Sequence, residues 1–301
     1  MRPLLAVTLG DPRGVGPEIV ARALEHERVR DACELRLVGP SGTPVSVHDS
    51  VGSWKRGGSA ADAGRLSGRA IERAVALALE GEVQGIVTAP IDKRALLDGG
   101  YDQPGHTEML ASLTGSEVAM MLASSRLRVV LATTHIALRE VADAVTSRAI
   151  IRTAAVARTG LIDWYGIAAP RIALCALNPH AGDGGRFGRE DDDILGPAAR
   201  LAGLSGPYPA DTVFVRALHG EFDAVIAPYH DVGMTAIKVA SFGSAVNVTL
   251  GLPFPRTSPD HGTAVDIAGR GVADPASFIL ALLECARIAG RLSPTPSLPR
   301  S

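Results

Sequence analysis

Ala224-Val225-Ile226-Ala227-Pro228-Tyr229-His230-Asp231 is a short apolar run that breaks into a polar, histidine-bearing turn. An apolar run of that length, closed by proline, reads as a strand buried on both faces, as in a parallel sheet covered by helices. The same event occurs twice upstream. Arg128–Thr133 ends in Thr134-His135, and Arg171–Leu177 ends in Asn178-Pro179-His180. Working outward, Leu4–Leu9, Glu34–Val38, Gly85–Thr88 and Ala245–Leu250 read as further strands. Pro17 suits the first turn of a helix reaching about Glu25. Ala70, Ile71, Ala74, Val75 and Ala78 recur at helical spacing, and Ala276–Ala289 is a closing helix. Strands alternating with helices predict an α/β fold with a mostly parallel, covered sheet. Residues 39–64 are rich in Gly, Ser and Pro without a period and read as loop, and residues 293–301 as a frayed tail.

Composition narrows the function. The chain has 301 residues, enough for two α/β lobes, and a formal net charge of −2. Near-balanced charge and scarce aromatic residues argue against a nucleic-acid surface. The N-terminal apolar run is too short for a signal or a membrane span, and Cys33, Cys175 and Cys285 form no CxxC pair. The expectation is a cytoplasmic protein with no membrane or nucleic-acid partner and three buried thiols. Arginine supplies nearly all the positive charge. The few lysines include Lys93 and Lys238, both inside motif-like stretches.

In open α/β sheets, ligands gather beyond the carboxyl ends of the strands. His135, His180 and His230 all stand just past such ends. Neutral imidazoles are good ligands for zinc, cobalt and similar ions, and a three-histidine site leaves a position open for substrate. Any one of them alone is more readily a turn residue; it is their equivalent placement that favours a shared metal. The loop Gly10-Asp11-Pro12-Arg13-Gly14-Val15-Gly16 does not match the GxGxxG dinucleotide fingerprint. It reads equally as a phosphate-facing loop or as a tight turn needing positive φ. Gly105-His106-Thr107-Glu108 looks like a helix entry offering donors to an anion, or a plain helix cap. Lys238, Asn247 and Arg256 could jointly hold an anionic substrate, although each alone could be a solvated surface residue. No G-x-S-x-G elbow and no P-loop occurs, so hydrolase and kinase readings lack support.

Taken in order, the motifs resemble the 4-hydroxythreonine-4-phosphate dehydrogenase family of pyridoxal phosphate biosynthesis. They are Gly10-Asp11-Pro12 with Gly14-Val15-Gly16-Pro17-Glu18, Thr88-Ala89-Pro90-Ile91-Asp92-Lys93, Gly105-His106-Thr107-Glu108 and Thr133-Thr134-His135. Further along come Leu177-Asn178-Pro179-His180-Ala181-Gly182, Tyr229-His230-Asp231 and the run from Val246 to Pro253. Arg256-Thr257-Ser258 and Asp260-His261-Gly262-Thr263-Ala264 complete the series, which extends to about Asp274. The resemblance implies a two-lobed α/β/α fold like isocitrate and isopropylmalate dehydrogenases, with a cleft between lobes, working as a homodimer. The lobes are expected at 1–105 plus 270–301 and at 106–269.

It further implies NAD- or NADP-dependent oxidation of 4-phosphooxy-L-threonine, then decarboxylation to 3-amino-2-oxopropyl phosphate. The resemblance assigns a divalent metal (zinc, magnesium or cobalt) to His135, His180 and His230, shared across the dimer interface. It assigns substrate contacts to His106, Thr107, Lys238, Asn247 and Arg256. Lys238 and Asp231 are candidates for the general base, beside a water on the metal. Arg13, Asp92 and Val232 depart from the family's usual small residue, Asn and Gln, and the 39–64 region looks short. These departures keep open a sugar-acid phosphate such as 4-phospho-D-threonate or 4-phospho-D-erythronate as substrate. A catalytically silent metal-binding dimer is a third reading.

Overall fold

The computed structural model describes residues 2–241 and 243–292; the tail expected to fray lies outside them. In chain order the elements are β1 (Leu4–Thr8), α1 (Gly16–Leu24), α2 (Glu27–Ala32), β2 (Glu34–Ser41), β3 (Asp49–Ser53), α3 (Ala60–Leu79), β4 (Gly85–Thr88), α4 (Lys93–Asp98) and α5 (His106–Thr114). They continue with β5 (Ala119–Ala123), β6 (Arg128–Leu131), α6 (Leu138–Ala144), α7 (Ser147–Asp163), β7 (Ile172–Cys175), α8 (Gly196–Ala202), β8 (Ser205–Tyr208) and α9 (Ala210–Leu218). The last are β9 (Ala224–Ala227), α10 (His230–Ser241), β10 (Val246–Leu250), β11 (Arg256–Ser258) and α11 (Ala276–Leu292). The chain divides into two compact units, residues 1–116 with 252–301, and residues 117–251.

In the first unit β3, β2, β1, β4 and β11 lie side by side and all pair in parallel. β1 and β4 are wholly apolar apart from a terminal threonine and almost entirely buried, as strands covered on both faces require. α3 packs on β1, β2 and β4, and α11 on β4 and β11. The loop expected over 39–64 is partly structured: β2 runs on to Ser41, β3 pairs at its edge, and α3 begins at Ala60. The Ser59 side chain caps α3 by accepting from the Asp62 N–H.

In the second unit the order is β10, β5, β6, β9, β7, β8. β10–β5 and β5–β6 are antiparallel, and the rest are parallel. The core gathers Leu122, Leu127, Val129, Leu131, Val225 and Ile237. α10 lies tight on β6 and β9 because Gly233 has no side chain. A Cβ there would stand 2.7 Å from Leu131 and 2.9 Å from Ala227. Among the described residues no helix is long and apolar enough to cross a membrane. All three cysteines are buried free thiols.

Candidate active site

In the first unit, the ends of β4 and β11 and the start of α5 build a cationic cluster. Arg256 opens β11 and is only 2% exposed, and its Nη2 donates to Thr88 Oγ1 at the end of β4 (2.5 Å). Burial alone pushes that guanidinium down to about 10. Gly105 is the N-cap of α5, so His106 and Thr107 occupy its first turn, where unsatisfied N–H groups and the helix dipole favour an anion. The His106 Nε2 is buried with no hydrogen-bond partner. Burial, then the charges of Arg256 and Lys93, hold this imidazole well below the usual histidine range. His106 is therefore a neutral ring with one nitrogen available to a ligand. Lys93, noted above only as a lysine inside a motif-like stretch, belongs to this cluster. Its Cε lies 3.6 Å from where a Cβ on Gly105 would sit. Its rarity in an arginine-rich chain was the available signal.

The Gly10–Gly16 loop is a turn rather than an open phosphate cradle. Gly10 has φ +70°, and a Cβ there would meet the Pro90 carbonyl oxygen at 2.2 Å. The N–H groups of Asp11, Arg13, Gly14 and Val15 are all occupied within the protein. Asp11, 1% exposed, receives the Arg13 backbone N–H, Nε and Nη2, the last at 2.6 Å. Arg13 Nη2 also reaches Asp92 Oδ2 (3.3 Å), and Asp92 caps α4 by accepting from the Ala95 N–H. The two unusual residues of these motifs thus form a pair, which tethers the residue preceding Lys93.

In the second unit the turns after β6 and β9 are joined. The Thr133 hydroxyl donates to the Pro228 carbonyl (2.8 Å), and the Ala132 N–H to Ala227 (2.9 Å). This brings the His135 and His230 rings to 5.4 Å between centroids. His230 Nδ1 lies 2.6 Å from Asp231 Oδ1. A proton on Nδ1 shared with that carboxylate leaves the Nε2 lone pair for a ligand. Asp231 is otherwise 87% exposed. The turn after β7 is held by Asp191, whose oxygens accept from the Leu177 and Asn178 N–H groups at 2.8 and 2.9 Å. His180 follows with φ +55°, as does Ala181, a left-handed backbone disfavoured for both.

His180 lines a hollow with Asn178, Asp211 and Val232, whereas His135 and His230 line another. Among the described residues no group of three His, Cys, Asp or Glu side chains is gathered to hold an ion. Within one chain the structure gives two histidines together and the third apart. The donor set, three imidazoles with one ring oriented by a carboxylate, suits a divalent metal. Lys238 stands two turns beyond His230 on α10, about 12 Å along the axis. Asn247 on β10 keeps a buried Oδ1 with no partner.

The fold is shared with solved structures of low sequence identity and of more than one activity. A beta-decarboxylating dehydrogenase from Thermococcus kodakarensis has the same fold, with TM-score 0.52 and 15% identity over 93% of this chain and 81% of that one. The chain belongs to the pyridoxal phosphate biosynthetic protein PdxA family, whose model matches residues 17–285. It is 40% identical to a D-threonate 4-phosphate dehydrogenase from Cupriavidus necator, covering 96% of this chain and 98% of the relative. It is 42% identical to a 4-hydroxythreonine-4-phosphate dehydrogenase from Stenotrophomonas maltophilia, with the same coverage. The crystal structure of a 4-hydroxythreonine-4-phosphate dehydrogenase from Klebsiella pneumoniae matches with TM-score 0.85 and 38% identity over 96% of this chain and 98% of that one.

Proposed function

We propose that this chain oxidises 4-phosphooxy-L-threonine with a nicotinamide cofactor and releases carbon dioxide to give 3-amino-2-oxopropyl phosphate. The observation that carries this reading is the cluster of buried Arg256, half-buried His106 and exposed Lys93 at the start of α5, which suits a phosphorylated acid. Thr107, Lys238 and Asn247 join His106 and Arg256 in holding the substrate. His135, His180 and His230 hold a divalent metal (zinc, magnesium or cobalt), which when bound supplies Lewis-acid stabilisation of negative charge on the substrate oxygens. Asp231 keeps the His230 ring turned for ligation, and Lys238 serves as the proton acceptor.

The active form is a homodimer, and His180 reaches the metal from a second copy of the chain. Supporting this, His135 and His230 pair within one chain while His180 lines a different hollow. Exposed Ile136, Leu138 and Phe187 also flank the histidine turns and offer apolar surface for a partner.

The test is NADH or NADPH formation from 4-phosphooxy-L-threonine by metal-reconstituted protein, with His180→Ala and His230→Ala variants. Each variant alone should lose metal and turnover. Dissociated and reassociated in equal amounts, they should recover about a quarter of wild-type activity, because half the dimers are mixed and each of those retains one of its two sites. Full metal occupancy and undiminished turnover in His180→Ala would overturn the metal assignment. A second reading, oxidation of 4-phospho-D-threonate, is favoured by the similarity to the Cupriavidus necator enzyme. Comparing kcat/KM on the two phosphates separates the readings.

A further inference from the structure

A cavity of about 720 Å³ opens in the first unit, lined by Pro12, Gly14, Trp54, Arg56, Gly58 and Gly269 among others. That volume is within the range of ligand sites, about 300–1,000 Å³. The β2–α3 segment supplies one side, with the Trp54 indole ring packed against Gly58. The turn before α1 supplies the other. Nothing in the substrate and metal assignments uses this space.

Its chemistry suits half of a dinucleotide. Apolar wall from Trp54 and Pro44 lies beside exposed Arg56. The N–H groups of Asp11, Arg13, Gly14 and Val15 in the glycine loop are already occupied, so side chains are the better partners for a phosphate here. Arg13 is committed to Asp11 and Asp92. Arg56, by contrast, has no ion pair among the described residues. Glu18 is the acidic residue at the wall, and both its oxygens are taken by backbone N–H groups, Oε2 by Gly269 (3.1 Å) and Oε1 by Ala273 (3.0 Å). A site selecting NAD presents a carboxylate to the ribose 2′-hydroxyl, whereas an arginine accommodates the 2′-phosphate of NADP. Here the carboxylate is occupied and the arginine is open. The cavity also leads to the anion cluster through one contact series: Arg13 lines it and touches Asp92, the residue before Lys93.

We propose that this cavity binds the adenosine half of the dinucleotide, with Arg56 on the 2′-phosphate, so that this chain prefers NADP. The inference rests on the dehydrogenase reading, but its test is binding rather than turnover. A Trp164→Phe background leaves Trp54 as the sole tryptophan and its emission as the reporter. Titration with 2′,5′-ADP should change that emission at lower concentration than 5′-AMP does. Arg56→Gln should weaken 2′,5′-ADP binding about tenfold or more, the size of one charge-assisted hydrogen bond. It should leave 5′-AMP binding within about twofold. No Trp54 response to either fragment, while substrate oxidation still proceeds with either cofactor, would overturn the cavity and leave the dehydrogenase reading standing. A Trp54 response with equal affinities, unmoved by Arg56→Gln, would overturn the role of Arg56. Absence of turnover with both cofactors, with fragment binding intact, would overturn the dehydrogenase reading instead.

Discussion

Replacing Arg13 by alanine tests whether the turn before α1 is held by an ion pair or by its glycines alone. Arg13 gives Asp11 two side-chain hydrogen bonds, at 3.0 and 2.6 Å, and gives Asp92 one at 3.3 Å. The Asp11 carboxylate is 1% exposed, while the Arg13 side chain is 22% exposed. Losing a partner from a buried charge costs about 3–5 kcal/mol in the fully enclosed case. Two features lower the figure here: partial access of water, and the Arg13 backbone N–H, which alanine retains. The Asp92 contact, at 35% exposure, adds under about 1 kcal/mol. The expected loss is about 2 kcal/mol for Arg13→Ala, read as a lower urea midpoint with unchanged slope. Asp11→Asn should cost less, because it leaves a guanidinium that water and Asp92 can still meet. The decisive measurement is the double variant. With no carboxylate left to strand, removal of Arg13 from Asp11→Asn should cost about 1.5 kcal/mol less than from wild type. Additivity within about 0.5 kcal/mol would refute the coupling and assign the turn's stability to the backbone.

The neutral state of His106 predicts a pH dependence with a defined sign. Its folded pKa is depressed by burial, Arg256 and Lys93, so below the ordinary value of 6.5 the unfolded chain binds the extra proton and stability falls as pH falls. His106→Gln should remove that contribution, and an unchanged slope of unfolding free energy between about pH 6.5 and 5 would contradict it. Asp231→Asn should weaken metal binding about 10–100-fold by loosening the His230 ring, measured by competition with a chelator; unchanged affinity would leave Asp231 without a positioning role. Burial raises the thiols of Cys33 to about 11 and Cys175 to about 12, and raises Cys285 further. None should react with a thiol reagent at pH 8 until the protein unfolds, and one fast-reacting equivalent in the native protein would disprove this.

The fold was legible wherever local pattern and tertiary role agree. Gly85–Thr88 and Ala224–Ala227 are fully apolar because helices cover both faces, and such runs announce themselves. β3 did not, because Asp49-Ser50-Val51-Gly52-Ser53 has almost no strand-forming composition. It exists as an edge pairing with β2, stabilised from outside by Arg36 and Arg73 on Asp49. β5 was likewise hidden: Ala119-Met120-Met121-Leu122-Ala123 carries no β-branched residue and could as well be helix. At the site, the sequence placed three histidines at equivalent strand ends, but chain position says nothing of which ends adjoin. β6 and β9 are neighbours in the sheet, and the bond from Thr133 to Pro228 ties their turns. β7 pairs with the far side of β9, and His180 leaves it on a left-handed backbone. Order in the sheet is a tertiary fact that no spacing encodes.

The same distinction changes what the unusual residues mean. Read one at a time, Arg13 and Asp92 cast doubt on the substrate, since each stands inside a motif near the anion cluster. In the structure they are one feature, a cation and a carboxylate facing each other across Asp11. A charge whose partner has arrived with it leaves the surrounding field nearly unchanged at a distance, so the pair is a weak argument for a different substrate anion. It is a stronger argument about the turn itself, which the pair stiffens, and about the cavity that Arg13 lines. Val232 differs again. It is half-buried against the core cluster of the second unit and lines the hollow that holds His180. Of the three departures it alone places an altered surface beside a histidine, so discrimination between the amino and hydroxyl forms of a phosphorylated acid should be sought there.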